Sequence, residues 1–166
     1  CSAGQGTWAL DLREAGPAPD LVIVPVGGGG LLSGVAAALK QKRPATRVVG
    51  VEPEGAAAMT RSLETGNPER IEEVRTLADG LAAPFAGEHT LRHVQKYVDE
   101  VVLVSDEEIA AALRLILERC KLLAEPAAAA SFAALLHGKL QVPPGSQVVC
   151  VLSGGNIDSS LLKTLL

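Results

Sequence analysis

Apolar residues fall into two kinds of run along this chain. One kind is short and apolar at nearly every position: Leu21–Val26, Arg47–Val51, Val101–Val104 and Gln147–Leu152. A strand that is apolar on both faces must be covered on both, the condition of a parallel sheet packed between helix layers. The other kind is spaced by three and four. Leu31–Lys40 reads as an Ala/Leu helix that closes at Pro44. Residues 105–123 open on Ser105-Asp-Glu-Glu108, a capping box able to satisfy two free backbone N–H groups. Ile109, Leu113, Ile116, Leu117 and Cys120 then repeat along one helical face. Ala127–Leu136 predicts a further helix, with side chains small enough for close packing. Gly87, Gly138 and Pro143-Pro144-Gly145 punctuate the pattern, and residues 66–93 are its least regular part. The alternation predicts one α/β domain over residues 1–166, an open, mostly parallel sheet flanked by helices.

Composition narrows the function classes. With 166 residues, 48% of them hydrophobic, the chain can bury a single sizeable core. A net charge of −4 and 2% aromatic residues argue against nucleic-acid binding, which wants a basic face and stacking rings. No apolar run is long enough to span a bilayer, and no signal-peptide pattern opens the chain. Cys1, Cys120 and Cys150 are widely spaced and odd in number. Cys120 and Cys150 read as small buried hydrophobes, and a reducing cytoplasm is the expected compartment.

The first strand runs into chemistry. In "VIVPVGGGGLLSG", residues 22–34, four consecutive glycines link the strand to a helix. Bare peptide N–H groups can converge there, and the helix adds its positive end, so the loop suits an anion, most often a phosphate. A plain strand-to-helix turn needs one or two glycines, not four. A nucleoside-triphosphate loop is ruled out, because Val35 and Ala36 stand where lysine and a hydroxyl are required. A dinucleotide loop fails in both registers, ending on Leu32 or Ser33 where glycine is needed. Even so, Glu52 closes the next strand about where a ribose-binding acid would sit, so an NAD-binding domain stays open as an alternative.

Pyridoxal phosphate, with one phosphate and a ring, requires a second element facing the ring nitrogen. "VVCVLSGGN" supplies one: Ser153 follows the last strand and precedes Gly154, Gly155 and Asn156. Ligands collect at the carboxyl ends of strands in open α/β sheets, and both glycine-rich exits lie there if the strands are parallel.

With these features, the chain resembles the pyridoxal-phosphate enzymes that include threonine dehydratase, serine dehydratase and serine racemase. The resembling segments are "AGQGTWALDL", "VIVPVGGGGLLSG", "VVGVEPEGA", "TLADGL", "DEVVLVSDEEI", "LLAEPAAAA" and "VVCVLSGGNID", in the family's order. The resemblance implies the larger, cofactor-binding domain of a fold type II enzyme. It implies that Gly27, Gly28, Gly29, Gly30 and Leu31 hold the cofactor phosphate and that Ser153 hydrogen-bonds the pyridine nitrogen. A neutral hydroxyl there does not hold the nitrogen protonated, which favours β-elimination of a hydroxyl over transamination. Glu125 in "AEPA" matches an acid near the cofactor, and equally reads as an acid at a helix N-terminus. Glu52 matches a ligand for a divalent cation, magnesium or calcium, in some members, with the Ala56 carbonyl as a second donor. Ala58 stands where a further acid is needed, which puts that site in doubt. Asp79 in "LADG" reads first as turn chemistry.

The family's lysine, which links covalently to the cofactor, lies in a Ser-x-Lys segment of the amino-terminal half. None of Lys40, Lys42, Lys96, Lys121, Lys139 and Lys163 has that context or precedes the glycine loop. The chain therefore resembles the carboxyl-terminal half alone. It is expected to be inactive without an amino-terminal half of the same enzyme, and its opening on Cys1 adds to the expectation of a fragment. The expected parent reaction converts L-threonine or L-serine to a 2-oxo acid and ammonia, in a homo-oligomer. Serine racemisation by the parent and a non-catalytic phosphate-ligand module are the alternatives.

Overall fold

The computed structural model describes residues 2–14 and 18–165. Its elements run α1 (Ser2–Glu14), β1 (Leu21–Pro25), α2 (Gly30–Lys42), β2 (Arg47–Pro53), α3 (Ala58–Thr65), α4 (Glu88–Tyr97) and β3 (Glu100–Val104). They continue with α5 (Asp106–Leu115), α6 (Pro126–Leu136), β4 (Val148–Cys150) and α7 (Ser159–Leu165). The strands form one parallel sheet in the order β3-β2-β1-β4.

The unbroken apolar character of β1 and β2 has a direct cause. Leu21, Ile23, Val49 and Val51 pack with α5 and α6 in one core, while Val22, Val24, Val26 and Val48 pack with α2 and α4 in the other. Each parity of the strand meets its own helix layer, so no position is left for water. Close approach matters at Gly50, where a Cβ would lie 2.8 Å from Leu32 Cδ2 and 2.9 Å from Val26 Cγ2. On the α6 side, Pro126 at the first turn and a run of buried alanines let the helix sit directly on the sheet.

Strand placement matches the sequence reading to within a residue or two for β1, β2 and β3, and β4 is shorter than expected. The expected helix over 105–123 ends early. Its capping box forms, but the helix widens into a π turn at Ile116–Cys120 and stops at Lys121 with φ 59. An inserted residue swings the face by about 100°, so Cys120 is exposed and not the buried hydrophobe that the periodicity predicts. Cys150 is half-buried, and burial pushes its thiol up to about 11, leaving it inert. α1, α3, α4 and α7 go beyond the sequence reading. Among the described residues, no helix is long and apolar enough to cross a membrane.

The winding locates a crevice. From β1 the chain steps outward through β2 to β3, then returns to lay β4 on the opposite side of β1. The carboxyl ends of β1 and β4 therefore flank a topological switch point, where open α/β sheets bind ligands.

Candidate functional site

The glycine loop leaves β1 at this switch point. The Val26 amide donates to Val51 O at 2.8 Å, and the sheet ends there. Gly27 packs against the Asp79–Leu81 turn, where a Cβ would meet Leu81 Cα at 3.3 Å and Gly80 O at 3.4 Å. Gly29 is the N-cap of α2 in the left-handed region, φ 85, and a Cβ on it would lie 2.5 Å from Met59 Cε. Gly28 is different: it is exposed and has nothing within 4 Å of where its Cβ would stand. Among the described residues, no acceptor takes the amides of Gly27 through Leu31. Unpaired N–H groups and the positive end of α2 thus share one opening.

β4 leaves the sheet beside this loop. Ile23 pairs with Cys150, and the Val151 amide continues the ladder by donating to Ile23 O at 2.9 Å. Three residues past Ile23 is Val26, and three past Cys150 is Ser153, so both exits open on one rim of neighbouring strands. Ser153 is exposed, and its hydroxyl has no hydrogen-bond partner among the described residues.

Glu125 holds the turn after Ser153. Its amide donates to Gly154 O at 3.1 Å, and its Oε2 accepts from the Asn156 amide at 3.1 Å. A Cβ on Gly154 would stand 2.6 Å from Glu125 Oε1, and one on Gly80 would stand 3.3 Å from the same atom. Gly27, Gly80, Glu125 and Gly154 are thus successive neighbours, and a Cβ at Gly154 would displace the Glu125 carboxylate. The Glu125 side chain makes no cap bond to α6, although the residue is its N-cap. Among the described residues its carboxylate accepts instead from the Asn156 amide. Beside it opens a cavity of about 650 Å³ lined by Asp79, Gly80, Glu125, Asn156 and Asp158. Asp79 begins the 79–81 turn, the role its sequence context predicts.

Glu52 lies at a strand end but is fully buried, not at the surface. Oε1 accepts from the Met59 amide at 2.7 Å, and Oε2 accepts from the Thr60 amide at 2.8 Å and the Thr60 hydroxyl at 2.6 Å. The carboxylate is spent on the first turn of α3. Burial pushes its pKa up, and the Thr60 and Met59 bonds oppose the rise. Ala56 is buried in the 54–56 turn and Ala58 contributes only a methyl group. Among the described residues, no cluster of three or more His, Cys, Asp or Glu side chains could hold a metal. Hard cations need several free oxygens, so this donor set does not fit one. The same burial withholds Glu52 from a ribose and removes the feature that favoured a dinucleotide.

Two residues of this region escaped the sequence reading. The Thr90 hydroxyl, from α4, has two acceptors within reach of its single proton, Gly28 O at 2.7 Å and Gly87 O at 2.8 Å. Met59 presses its methyl group against Gly29. Neither carries a local signal, because each reaches the loop only through the packing of α4 on α2 and of α3 on α4.

Comparison with known proteins agrees with this geometry. The family model described as "Pyridoxal-phosphate dependent enzyme" matches residues 1–154. L-Threonine ammonia-lyase of Thermotoga maritima is 47% identical over 164 residues, which is 99% of this chain and 40% of that protein. The processed form of threonine deaminase isoform 2 from Solanum lycopersicum superposes with a TM-score of 0.90 at 36% identity, over 98% of this chain and 48% of that one. Maize serine racemase superposes with a TM-score of 0.90 at 38% identity, over 98% and 50%. The chain spans about half or less of the length of these relatives.

Proposed function

Since the chain belongs to the pyridoxal-phosphate-dependent enzyme family, we propose that it is the phosphate-gripping part of a threonine or serine ammonia-lyase. The observation that carries this reading is the row of unpartnered amides at Gly27–Leu31, opening beside Ser153 at the switch point. When bound, pyridoxal phosphate supplies an electron sink for bond cleavage at the substrate's α-carbon. The chain's own residues do the positioning. Amides of the loop and the end of α2 hold the phosphate, a task that suits uncharged N–H donors aimed at an anion. Ser153 offers the ring nitrogen a neutral hydroxyl and so leaves it unprotonated. Glu125 fixes the turn that presents Ser153, and with Asp79 it borders the space open to a small hydroxy amino acid.

Proton abstraction needs a lysine that this chain does not offer in the family's context. Lys40 is paired with Asp99 at 2.8 Å and Lys139 with Glu108 at 2.9 Å. We assign that lysine to an amino-terminal half, which the relatives' greater length accommodates. Residues 1–166 then form one α/β unit of a homo-oligomer, and the unpaired Cys120 and Cys150 suit a reducing cytoplasm.

The test is to combine the 166-residue chain with an amino-terminal half and pyridoxal phosphate, then measure 2-oxobutanoate released from L-threonine. Release is expected from the combination and not from this chain alone. No release from a folded, complete combination overturns the proposal. The likeness to maize serine racemase supports a second reading, in which L-serine yields D-serine instead of pyruvate. A parallel incubation with L-serine, assayed for pyruvate and by chiral analysis for D-serine, separates the two.

A further inference from the structure

The glycine loop has a conformational problem of its own. Glycine on both sides of the Gly28–Gly29 peptide permits either orientation of that peptide, and the space where a Gly28 Cβ would stand is open to 4 Å. One orientation turns the Gly29 N–H outward. The other puts a carbonyl oxygen, carrying partial negative charge, where that N–H had been.

One side chain makes the choice. Among the described residues, the hydrogen-bond partner of the Gly28 carbonyl is Thr90 Oγ1, at 2.7 Å. The second acceptor within reach of Thr90, Gly87 O at 2.8 Å, also receives the Leu91 amide at 2.8 Å. Gly87 O therefore does not depend on the hydroxyl, whereas Gly28 O does. Across a trans peptide the C=O and the following N–H point in opposite directions, and the described chain contains no cis peptide. Drawing the Gly28 carbonyl toward α4 thus turns the Gly29 amide away from α4, and among the described residues that amide has no acceptor. Thr90 also stands 3.0 Å from where a Gly29 Cβ would lie, so it bounds the peptide from the same side.

We propose that Thr90 is a positioning residue that locks the Gly28–Gly29 peptide with its N–H toward the bound phosphate. The inference rests on the phosphate-holding role proposed for the loop. It adds that this role depends on a hydroxyl from α4, which itself touches no ligand.

The experiment compares Thr90→Val, Thr90→Ala and Thr90→Ser with the wild type in the holoenzyme. Apoprotein is titrated with pyridoxal phosphate and, separately, with pyridoxal, which lacks the phosphate. The 31P resonance of the bound cofactor and the melting temperature are recorded alongside. Thr90→Val and Thr90→Ala are expected to lose about ten-fold in affinity for pyridoxal phosphate, the scale of one hydrogen bond, with a shifted 31P signal. Pyridoxal affinity should not move, and Thr90→Ser should restore both the affinity and the resonance. Valine and alanine variants that keep the wild-type preference for the phosphorylated ligand overturn the proposal. Variants that lose both ligands together with melting temperature also overturn it, marking Thr90 as a packing residue of α4. A wild type that does not distinguish the two ligands overturns the phosphate-holding role of the loop itself.

Discussion

Gly28 and Gly29 are adjacent, yet alanine should affect them in opposite ways. At Gly28 the added methyl group meets open space, so Gly28→Ala should leave stability within about 0.5 kcal/mol. At Gly29 the Met59 methyl group can yield, but the left-handed backbone at φ 85 cannot. Gly29→Ala should cost about 1–3 kcal/mol, and urea midpoints of the two variants test the contrast. Glu52 gives a pH signature. Its folded pKa lies above the unfolded value, so the folded state binds the extra proton. Its contribution is therefore complete below the unfolded pKa and is lost as pH rises through the folded one. Glu52→Gln should erase that dependence. The stability difference between wild type and variant should shrink from about pH 4.5 upward, as followed by urea unfolding at several pH values. A difference that grows with pH would contradict the burial argument.

At the scale of elements, local chemistry was most legible where the element carries its own signal. The capping box of α5 forms as read, with Glu108 N donating to Ser105 Oγ at 3.2 Å and Ser105 N donating to Glu108 Oε2 at 2.9 Å. Ser105→Ala should therefore cost about 1 kcal/mol and Ser105→Thr much less, again by urea midpoint. The strands were legible because double burial leaves no polar position to confuse the pattern. α7 was not: at seven residues it is too short for Leu161, Leu162 and Leu165 to establish a period. α4 shows only Leu91 and Val94 as buried positions, too few to stand out in an irregular region. The π turn that exposes Cys120 breaks the periodicity from within, and the sequence has no residue type that announces it.

For the whole molecule, the exposed apolar side chains carry the prediction. Leu122 and Leu123, in the segment leading to Glu125, are 51% and 56% exposed, and Leu152, beside Ser153, is 39% exposed. Leu123 O lies 2.6 Å from where a Gly155 Cβ would stand, so these residues border the exit of β4, where the proposed amino-terminal half would meet this one. A double Leu122→Ser, Leu123→Ser variant should change the chain's own stability by less than about 0.5 kcal/mol per site while weakening association with that half. Sedimentation or calorimetric titration of the two halves reads the effect, and unchanged association would place the contact elsewhere.

The sequence by itself determined the layered α/β architecture, the two glycine-rich strand exits and the capping box. Each depends on spacing along a few consecutive residues, which hydrophobic burial and backbone geometry translate directly. Only the tertiary structure decided where the chemistry points. Thr90 reaches Gly28 across 62 residues of chain, and Glu125 receives the Asn156 amide across 31. Glu52 turned inward to the first turn of α3 because buried amides bind a carboxylate wherever packing brings them together, and packing is a property of the whole fold.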